Sequence, residues 1–406
     1  ESRWKDVVDK DGKPLFDGGY DRALSSVSTF KTHVVAEGRE GGIPRVWIIS
    51  LDDSDAVESF EQLTFEESAH DVGISSGYEF DVESIVIHYD SLVTPLQHIE
   101  MELTDTSNRT VVKTKNVPGY NKADYDCDRI TVTARDGFTE IPISLVYRKN
   151  VMKKFENGER VHVHLYGYGS YGSCIEADFR ATRLPLLDRG IVYVIAHVRG
   201  GAEMGRQWYE EPNGAKFLCK KNTFNDFVDV GRWLVNTKKL TSPELLSCEG
   251  RSAGGLLIGA SINQDPSLFK AAILGVPFVD VVPTMIDSTI PLTTAEWLEW
   301  GCPNEEKYFQ YMMEYSPINN VQKGAKYPSC LLTGGLHDPR VQFWEPAKFA
   351  AELRHCQGGD SPICLKMDMS AGHFSASDRY KYYKELAFDY AFLLQQMGLA
   401  GDVEKS

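Results

Sequence analysis

Gly250-Arg251-Ser252-Ala253-Gly254-Gly255 follows a short apolar run at 245–248 and precedes a second one, Leu256-Leu257-Ile258-Gly259-Ala260. A strand, a G-x-S-x-G turn and a helix in that order form a nucleophile elbow. Its glycines let strand and helix pack closely while the serine is held in a strained turn. The Ser252 hydroxyl is then presented at the C-terminal end of its strand, where open α/β sheets bind their ligands. Strand before and helix after favour a nucleophile over a plain Gly-rich turn.

Working outward, continuous apolar runs recur at 161–166, 191–198, 271–276, 330–333 and 363–367, the last alternating with Lys366. Runs this apolar suit central parallel strands covered on both faces. Helical stretches lie between them. Asn222-Thr223-Phe224-Asn225-Asp226 offers a cap three residues before an acid, and Phe224, Phe227, Val228, Leu234 and Val235 follow at helical spacing. Glu345-Pro346 starts another helix carrying Phe349 and Leu353, and Asp378 starts a final one that Gly398 ends. The spacing predicts an open, doubly wound, mostly parallel α/β sheet. Before about residue 112 the rhythm differs. Arg45-Val46-Trp47-Ile48-Ile49-Ser50-Leu51 and Ser84-Ile85-Val86-Ile87-His88-Tyr89 are short alternating runs between polar clusters, which predicts antiparallel hairpins. Their spacing of roughly forty residues is compatible with propeller blades. Two domains are therefore expected, a β-rich one over 1–112 and an α/β one over 113–406.

The 406 residues include 43 Lys+Arg against 58 Asp+Glu, a formal charge of −15. That balance argues against nucleic acid as a partner, because phosphate binding needs a basic face and Lys220-Lys221 and Lys238-Lys239 are isolated pairs. No apolar run approaches the ~18 residues of a membrane span, and Glu1-Ser2-Arg3-Trp4-Lys5-Asp6 cannot serve as a signal peptide. Neither a membrane nor a secretory route is expected. Eight scattered cysteines without a CxxC pair read as buried reduced thiols in a cytoplasmic protein, so the sequon at Asn108-Arg109-Thr110 carries little weight.

A serine nucleophile needs a general base, and the base needs an orienting carboxylate. In an α/β-hydrolase these follow in the order Ser, acid, His, each on a loop after a strand. Leu331-Leu332-Thr333-Gly334-Gly335-Leu336-His337-Asp338 ends one strand in an acid, and Met367-Asp368-Met369-Ser370-Ala371-Gly372-His373 ends the next in a histidine. Ser252, Asp338 and His373 are the expected triad. Asp368 lies within its strand and is the weaker acid. His337 stands beside Asp338 and is expected to make a structural hydrogen bond, and His355 falls on the surface of a helix. His162 and His164 share one strand face, but a metal site would need further ligands that no spacing supplies, so a role within the sheet is favoured. No metal or cofactor is expected.

The tetrahedral oxyanion needs donors. The Ala253 N–H, next after the nucleophile, is one by the geometry of the elbow. A second should come from the turn after an earlier strand, Leu165-Tyr166-Gly167-Tyr168-Gly169-Ser170-Tyr171-Gly172. Residue pattern alone leaves open whether its tyrosines serve the oxyanion or line a tight loop.

Several segments together resemble the prolyl oligopeptidase family, and most of all its oligopeptidase B branch. They are Tyr166-Gly167-Tyr168-Gly169-Ser170-Tyr171-Gly172, His197-Val198-Arg199-Gly200-Gly201-Ala202-Glu203, Asn222-Thr223-Phe224-Asn225-Asp226, 249–255, Val276-Pro277-Phe278-Val279-Asp280, Ile290-Pro291-Leu292-Thr293-Thr294, Tyr315-Ser316-Pro317, 335–341 and Gly372-His373-Phe374. The resemblance implies a serine peptidase in which a seven-bladed β-propeller caps an α/β-hydrolase domain and limits substrates to short peptides. It implies that Tyr168 donates its hydroxyl to the oxyanion beside Ala253. It also implies cleavage after Arg or Lys, with the S1 acid on Glu296 and with Glu176 and Asp178 favouring a second basic residue at P2. Arg340 would bind the substrate main chain, and Tyr171 falls among the substrate-binding residues.

Two departures from the family pattern stand out. A second acid usually follows two positions after the S1 glutamate, where this chain has Leu298, with Glu299 one further on. The residues up to about 112 also provide two to three blades rather than seven, and Glu1 is not an initiator methionine, so the chain reads as the C-terminal part of a longer protein. The expected activity is endopeptidase cleavage of short basic peptides. Cleavage after proline and a catalytically silent binding module are the alternatives. The oligomeric state stays open.

Overall fold

The computed structural model describes residues 7–8, 11–16, 22–53, 56–373 and 379–401; the opening segment 1–6, Phe374 and Asp378 lie outside them. The chain divides into two units. One comprises Glu1–Arg129 with Glu176–Thr182 and Ala202–Gln207, and the other Ile130–Ile175, Arg183–Gly201 and Trp208–Ser406.

Alternating residues in the first unit produce two four-stranded antiparallel sheets with strands in sequence order. The first holds β1 (Arg22–Thr29), β2 (His33–Glu40), β3 (Ile43–Leu51) and β4 (Val57–Gln62). The second holds β5 (His70–Ile74), β6 (Ser84–Ser91), β7 (Gln97–Glu102) and β8 (Arg109–Thr114). Strand β6 shows the logic: Ile85, Ile87 and Tyr89 are buried, whereas Ser84, Val86, His88 and Asp90 between them are not. These buried residues join Ile99 and Met101 of β7 and Val35, Val46 and Ile48 of the first sheet in one apolar cluster. Each sheet is thus a four-stranded meander that hides one face against the next.

An eight-stranded mixed sheet forms the centre of the second unit. Its strands are β9 (Tyr125–Thr133), β10 (Glu140–Arg148), β11 (His162–Tyr166), β12 (Ile191–Ala196), β13 (Leu246–Arg251), β14 (Ala271–Gly275), β15 (Ser329–Gly335) and β16 (Ile363–Asp368). Their spatial order is β16-β15-β14-β13-β11-β12-β10-β9. From β12 to β16 every neighbouring pair is parallel, and β10 joins β12 antiparallel. Every residue of β12 is buried, as a strand covered on both faces requires. The helices of this unit are α1 (Lys149–Glu156), α2 (Leu184–Leu187), α3 (Lys221–Arg232), α4 (Ala253–Gln264), α5 (Val281–Ile286), α6 (Thr293–Trp300), α7 (Glu306–Tyr315), α8 (Trp344–Cys356) and α9 (Arg379–Gln396). The expected sheet is present, extended by β9 and β10 at the edge where β10 joins β12 antiparallel.

One local expectation needs correcting. Asn222 and Thr223 do not cap α3, which starts at Lys221 after Lys220, with no side-chain cap. Their side chains are drawn into tertiary contacts instead: Asn222 donates to the Gly214 carbonyl, Thr223 to that of Arg199, and Asp226 accepts from the buried Arg199 guanidinium. A bidentate buried ion pair outweighs the modest gain of a cap. At the other end of the chain, Gly398 adopts φ 73° just beyond α9, the left-handed stop expected of it.

Strand order decides where chemistry can occur. From β11 the chain continues to β12 on one side, while from β13 it continues to β14 on the other. Between β11 and β13 the sheet therefore has its switch point, where the loops that follow these two strands diverge and leave a crevice. Tyr166 of β11 is level with Glu249 of β13, so the Gly167–Gly172 turn and the serine turn leave the sheet side by side.

Candidate active site

Ser252 adopts φ 58° and ψ −120° between β13 and α4. An L-residue rarely stays there unless its surroundings hold it. They do: its N–H donates to the Gly275 carbonyl, and its own carbonyl accepts from Gly255 and Phe278. Gly250 and Gly255 are needed for close approach, since a Cβ on Gly250 would stand 2.2 Å from the Gly254 carbonyl oxygen and one on Gly255 2.4 Å from Pro277 Cβ.

Asp338 follows β15 and His373 follows β16. His373 Nε2 lies 3.0 Å from Ser252 Oγ, and its Nδ1 lies 2.7 Å from Asp338 Oδ2. Asp338 is buried, and its Oδ1 accepts the N–H groups of Arg340 and Val341. The carboxylate is thus anchored through one oxygen and meets the imidazole with the other. The competing groups go elsewhere. Asp368 accepts from Ser370 and Ala371 and pairs with Lys381, His337 is exposed with its backbone N–H on Ala371, and His355 is exposed. His162 meets the Met397 carbonyl, and His164 is fully buried between Ser247 and Glu249.

Tyr168 leaves the end of β11 against the first turn of α4, where a Cβ on Gly254 would be 3.3 Å from its Cδ2. Ala253, the first residue of that helix, directs its N–H out of the helix end. Burial raises the Tyr168 hydroxyl to about 12, nearby tyrosine and carboxylates add to this, and Arg340 opposes it. It remains a donor at neutral pH.

Beyond Tyr168 lies an acidic wall. The Tyr171 ring is 6.4 Å from that of Tyr168, and its hydroxyl donates to Glu296 Oε2 at 2.8 Å. Trp300 Nε1 donates to the same oxygen at 2.9 Å. Glu299 is buried and occupied, accepting the Tyr171 N–H at Oε1 and the Tyr209 hydroxyl at Oε2, while Leu298 is 73% exposed. Glu176 and Asp178 belong to the other unit. There Glu176 pairs with Arg39 and Asp178 with Arg180. Lys220, which composition suggests is a surface residue, is 1% exposed behind this turn. A pair of lysines at the start of a helix carries no sequence signal that one of them is buried.

A serine at the switch point of a mostly parallel sheet, hydrogen-bonded to a histidine from the loop of the last strand, makes the second unit an α/β-hydrolase. The chain belongs to the prolyl oligopeptidase family: the family profile matches residues 177–400, and that of its N-terminal β-propeller domain matches 1–114. The two meander sheets are accordingly blades of a partial propeller. Dipeptidyl aminopeptidase BI of Pseudoxanthomonas mexicana is 41% identical over 98% of this chain and 51% of its own length. Protease 2 of Moraxella lacunata is 38% identical over 94% and 53%. Oligopeptidase B from Leishmania major superposes with a TM-score of 0.86 at 43% identity, covering 95% of this chain and 53% of that one. Oligopeptidase B from Trypanosoma brucei with covalently bound antipain gives 0.85 at 45% identity, over 93% and 52%. The chain spans about half the length of the curated relatives it matches. Among the described residues no helix is long and apolar enough to cross a membrane, and no disulfide links any of the eight cysteines.

Proposed function

We propose that the protein is a serine peptidase that hydrolyses short peptides after arginine or lysine. The observation that carries this reading is the hydrogen-bonded series Ser252–His373–Asp338 beside the Tyr168 turn, with the Glu296 carboxylate reached through Tyr171. Ser252 attacks the scissile carbonyl and His373 takes the proton, later returning it to the leaving amine, while Asp338 holds the imidazole tautomer. Tyr168 and the Ala253 N–H receive the oxyanion. The acyl-enzyme is hydrolysed by water in a second pass through the same groups.

Glu296 selects the basic P1 side chain. Both neutral donors lie on Oε2, which favours pairing of a guanidinium with the carboxylate in a partly desolvated setting. Glu176 and Asp178 favour a second basic residue, which must compete there with Arg39 and Arg180. Arg340, exposed two positions after the acid, binds the substrate main chain. Cysteines that form no disulfide fit a cytoplasmic location.

A second reading comes from the relative named dipeptidyl aminopeptidase, which suggests removal of dipeptides from a free N-terminus. Chromogenic amides ending in arginine, lysine or proline, each with a free and a blocked N-terminus, separate the possibilities. Blocked arginyl and lysyl amides are the expected substrates. Preference for proline would reject Glu296 as the selector, and a strict need for a free amine would replace the endopeptidase reading.

A further inference from the structure

We infer that Lys220 and Glu299 form a buried positioning pair that holds the Tyr168 turn and the Glu296 carboxylate in one arrangement. The inference rests on the peptidase reading above and adds two residues to it.

The Lys220 ammonium donates to the Gly169 carbonyl at 2.6 Å and to Ser170 Oγ at 2.9 Å, and its third contact is Glu299 Oε1 at 3.8 Å. Gly169 and Ser170 directly follow Tyr168. The next residue, Tyr171, has φ 61°, a left-handed conformation that a bulky side chain keeps only when the surroundings impose it. Glu299 imposes it by accepting the Tyr171 N–H at 2.9 Å. The pair therefore fixes the three residues that follow the oxyanion tyrosine, the last of them the tyrosine that meets Glu296.

A second route reaches the same carboxylate. Lys220 Nζ lies 5.0 Å from the centre of the Trp300 ring, and Trp300 donates its indole N–H to Glu296. Trp300 also packs edge-on against Tyr171 at 5.7 Å. Lys220 thus touches the support of Glu296 from both sides without touching the place of a substrate. Burying an ammonium is costly, and here burial pushes Lys220 down to about 8 even though Glu299 pulls it back up. Two apolar side chains would fill this volume more cheaply but would leave the Gly169 carbonyl with only the longer bond from the Thr223 hydroxyl at 3.2 Å and the Tyr171 N–H without its acceptor.

The test uses the intact protein with kinetics expressed per active centre titrated by a fluorophosphonate. The wild type is expected to cleave an arginyl amide better than its uncharged citrullyl analogue. Lys220→Met should lower kcat on both by about tenfold or more, as a displaced oxyanion donor does, and should shrink the arginyl preference severalfold. Glu299→Gln keeps an acceptor for Tyr171 and removes the charge, so it should move both quantities in the same direction by less. If titratable centres become fewer while each keeps wild-type kcat and preference, the pair is merely structural and the inference is overturned. Where Lys220→Met does not fold, an unchanged kcat and preference in Glu299→Gln overturns it equally. A wild type that cleaves neither amide rejects the peptidase reading and this inference with it.

Discussion

His373 Nδ1 approaches Asp338 Oδ2 at 2.7 Å while the opposite oxygen of that carboxylate accepts two backbone N–H groups. The acid is therefore committed as an acceptor on both sides. Its orientation is set by the Arg340-Val341 backbone before the imidazole arrives, so the ring is held with Nδ1 protonated and Nε2 free to accept from Ser252.

Asp338→Asn tests this directly. An amide can satisfy the two N–H groups with its oxygen, but its nitrogen then faces Nδ1 as a donor and forces the proton of neutral His373 onto Nε2. In that tautomer the histidine cannot accept from Ser252. A fall in kcat on the order of 10⁴ is expected, with thermal stability little changed because the backbone contacts survive. A loss of less than about tenfold would mean that Asp338 is not the orienting acid.

Tyr168→Phe removes one hydroxyl at the turn after β11. If that hydroxyl meets the oxyanion, kcat on an arginyl amide falls on the order of 10²–10³ with KM nearly unchanged, because the donor acts on a charge that develops in the transition state. An effect confined to KM would assign Tyr168 to ground-state binding. The hydroxyl's high proton affinity, about 12, predicts no loss of the donor between pH 7 and 9.

Much of this site is legible from residue types because it depends on short-range devices. The elbow needs Gly250 and Gly255 at fixed offsets from Ser252, and Asp338 and His373 sit at the ends of runs apolar enough to be parallel strands. What stays hidden depends on long-range pairing. Lys220 reads as a surface charge because its partners, Gly169 and Glu299, lie 51 and 79 positions away. Asn222 and Thr223 carry a helix-start signal that tertiary partners override. Glu299 and Leu298 are adjacent letters, yet helix geometry turns one inward and the other to solvent.

Glu296→Gln keeps the shape of the side chain and removes its charge. The hydrogen bonds that Glu296 accepts come from the neutral donors Tyr171 and Trp300 and do not require that charge, so folding should be maintained. The arginyl-over-citrullyl ratio of kcat/KM should fall by about 1.5–3 kcal/mol equivalents, roughly 10- to 150-fold, the range of a hydrogen bond to a charged group. A preserved ratio would move P1 selection to another acid. Leu298→Glu, by contrast, adds a charge at an exposed position, and a stability change within about 0.5 kcal/mol is expected.

Glu345 gives the protein a pH dependence separate from catalysis. At the start of α8 it is fully buried, with Oε2 accepting the N–H groups of Val279 and Asp280 and Oε1 accepting the Thr284 hydroxyl. Burial raises its carboxyl to about 7 against the pull of those donors, and the Asp280 charge adds to the rise even though Lys348 pairs with Asp280. The folded state therefore holds a proton that the unfolded chain, with an ordinary carboxyl near 4.3, has already released. Stability from this group is complete below about pH 4.3, declines as the pH rises toward 7 and stays low above it, a loss on the order of 4 kcal/mol at about 1.4 kcal/mol per unit. Glu345→Gln imitates the protonated form, since its oxygen can accept both N–H groups and its nitrogen can donate to Thr284. The melting temperature of the variant minus that of the wild type should therefore climb between pH 4.5 and 7 and level off beyond. A difference that stays constant across that interval would show that the buried carboxyl is ionised throughout, with its three donors outweighing the cost of burial.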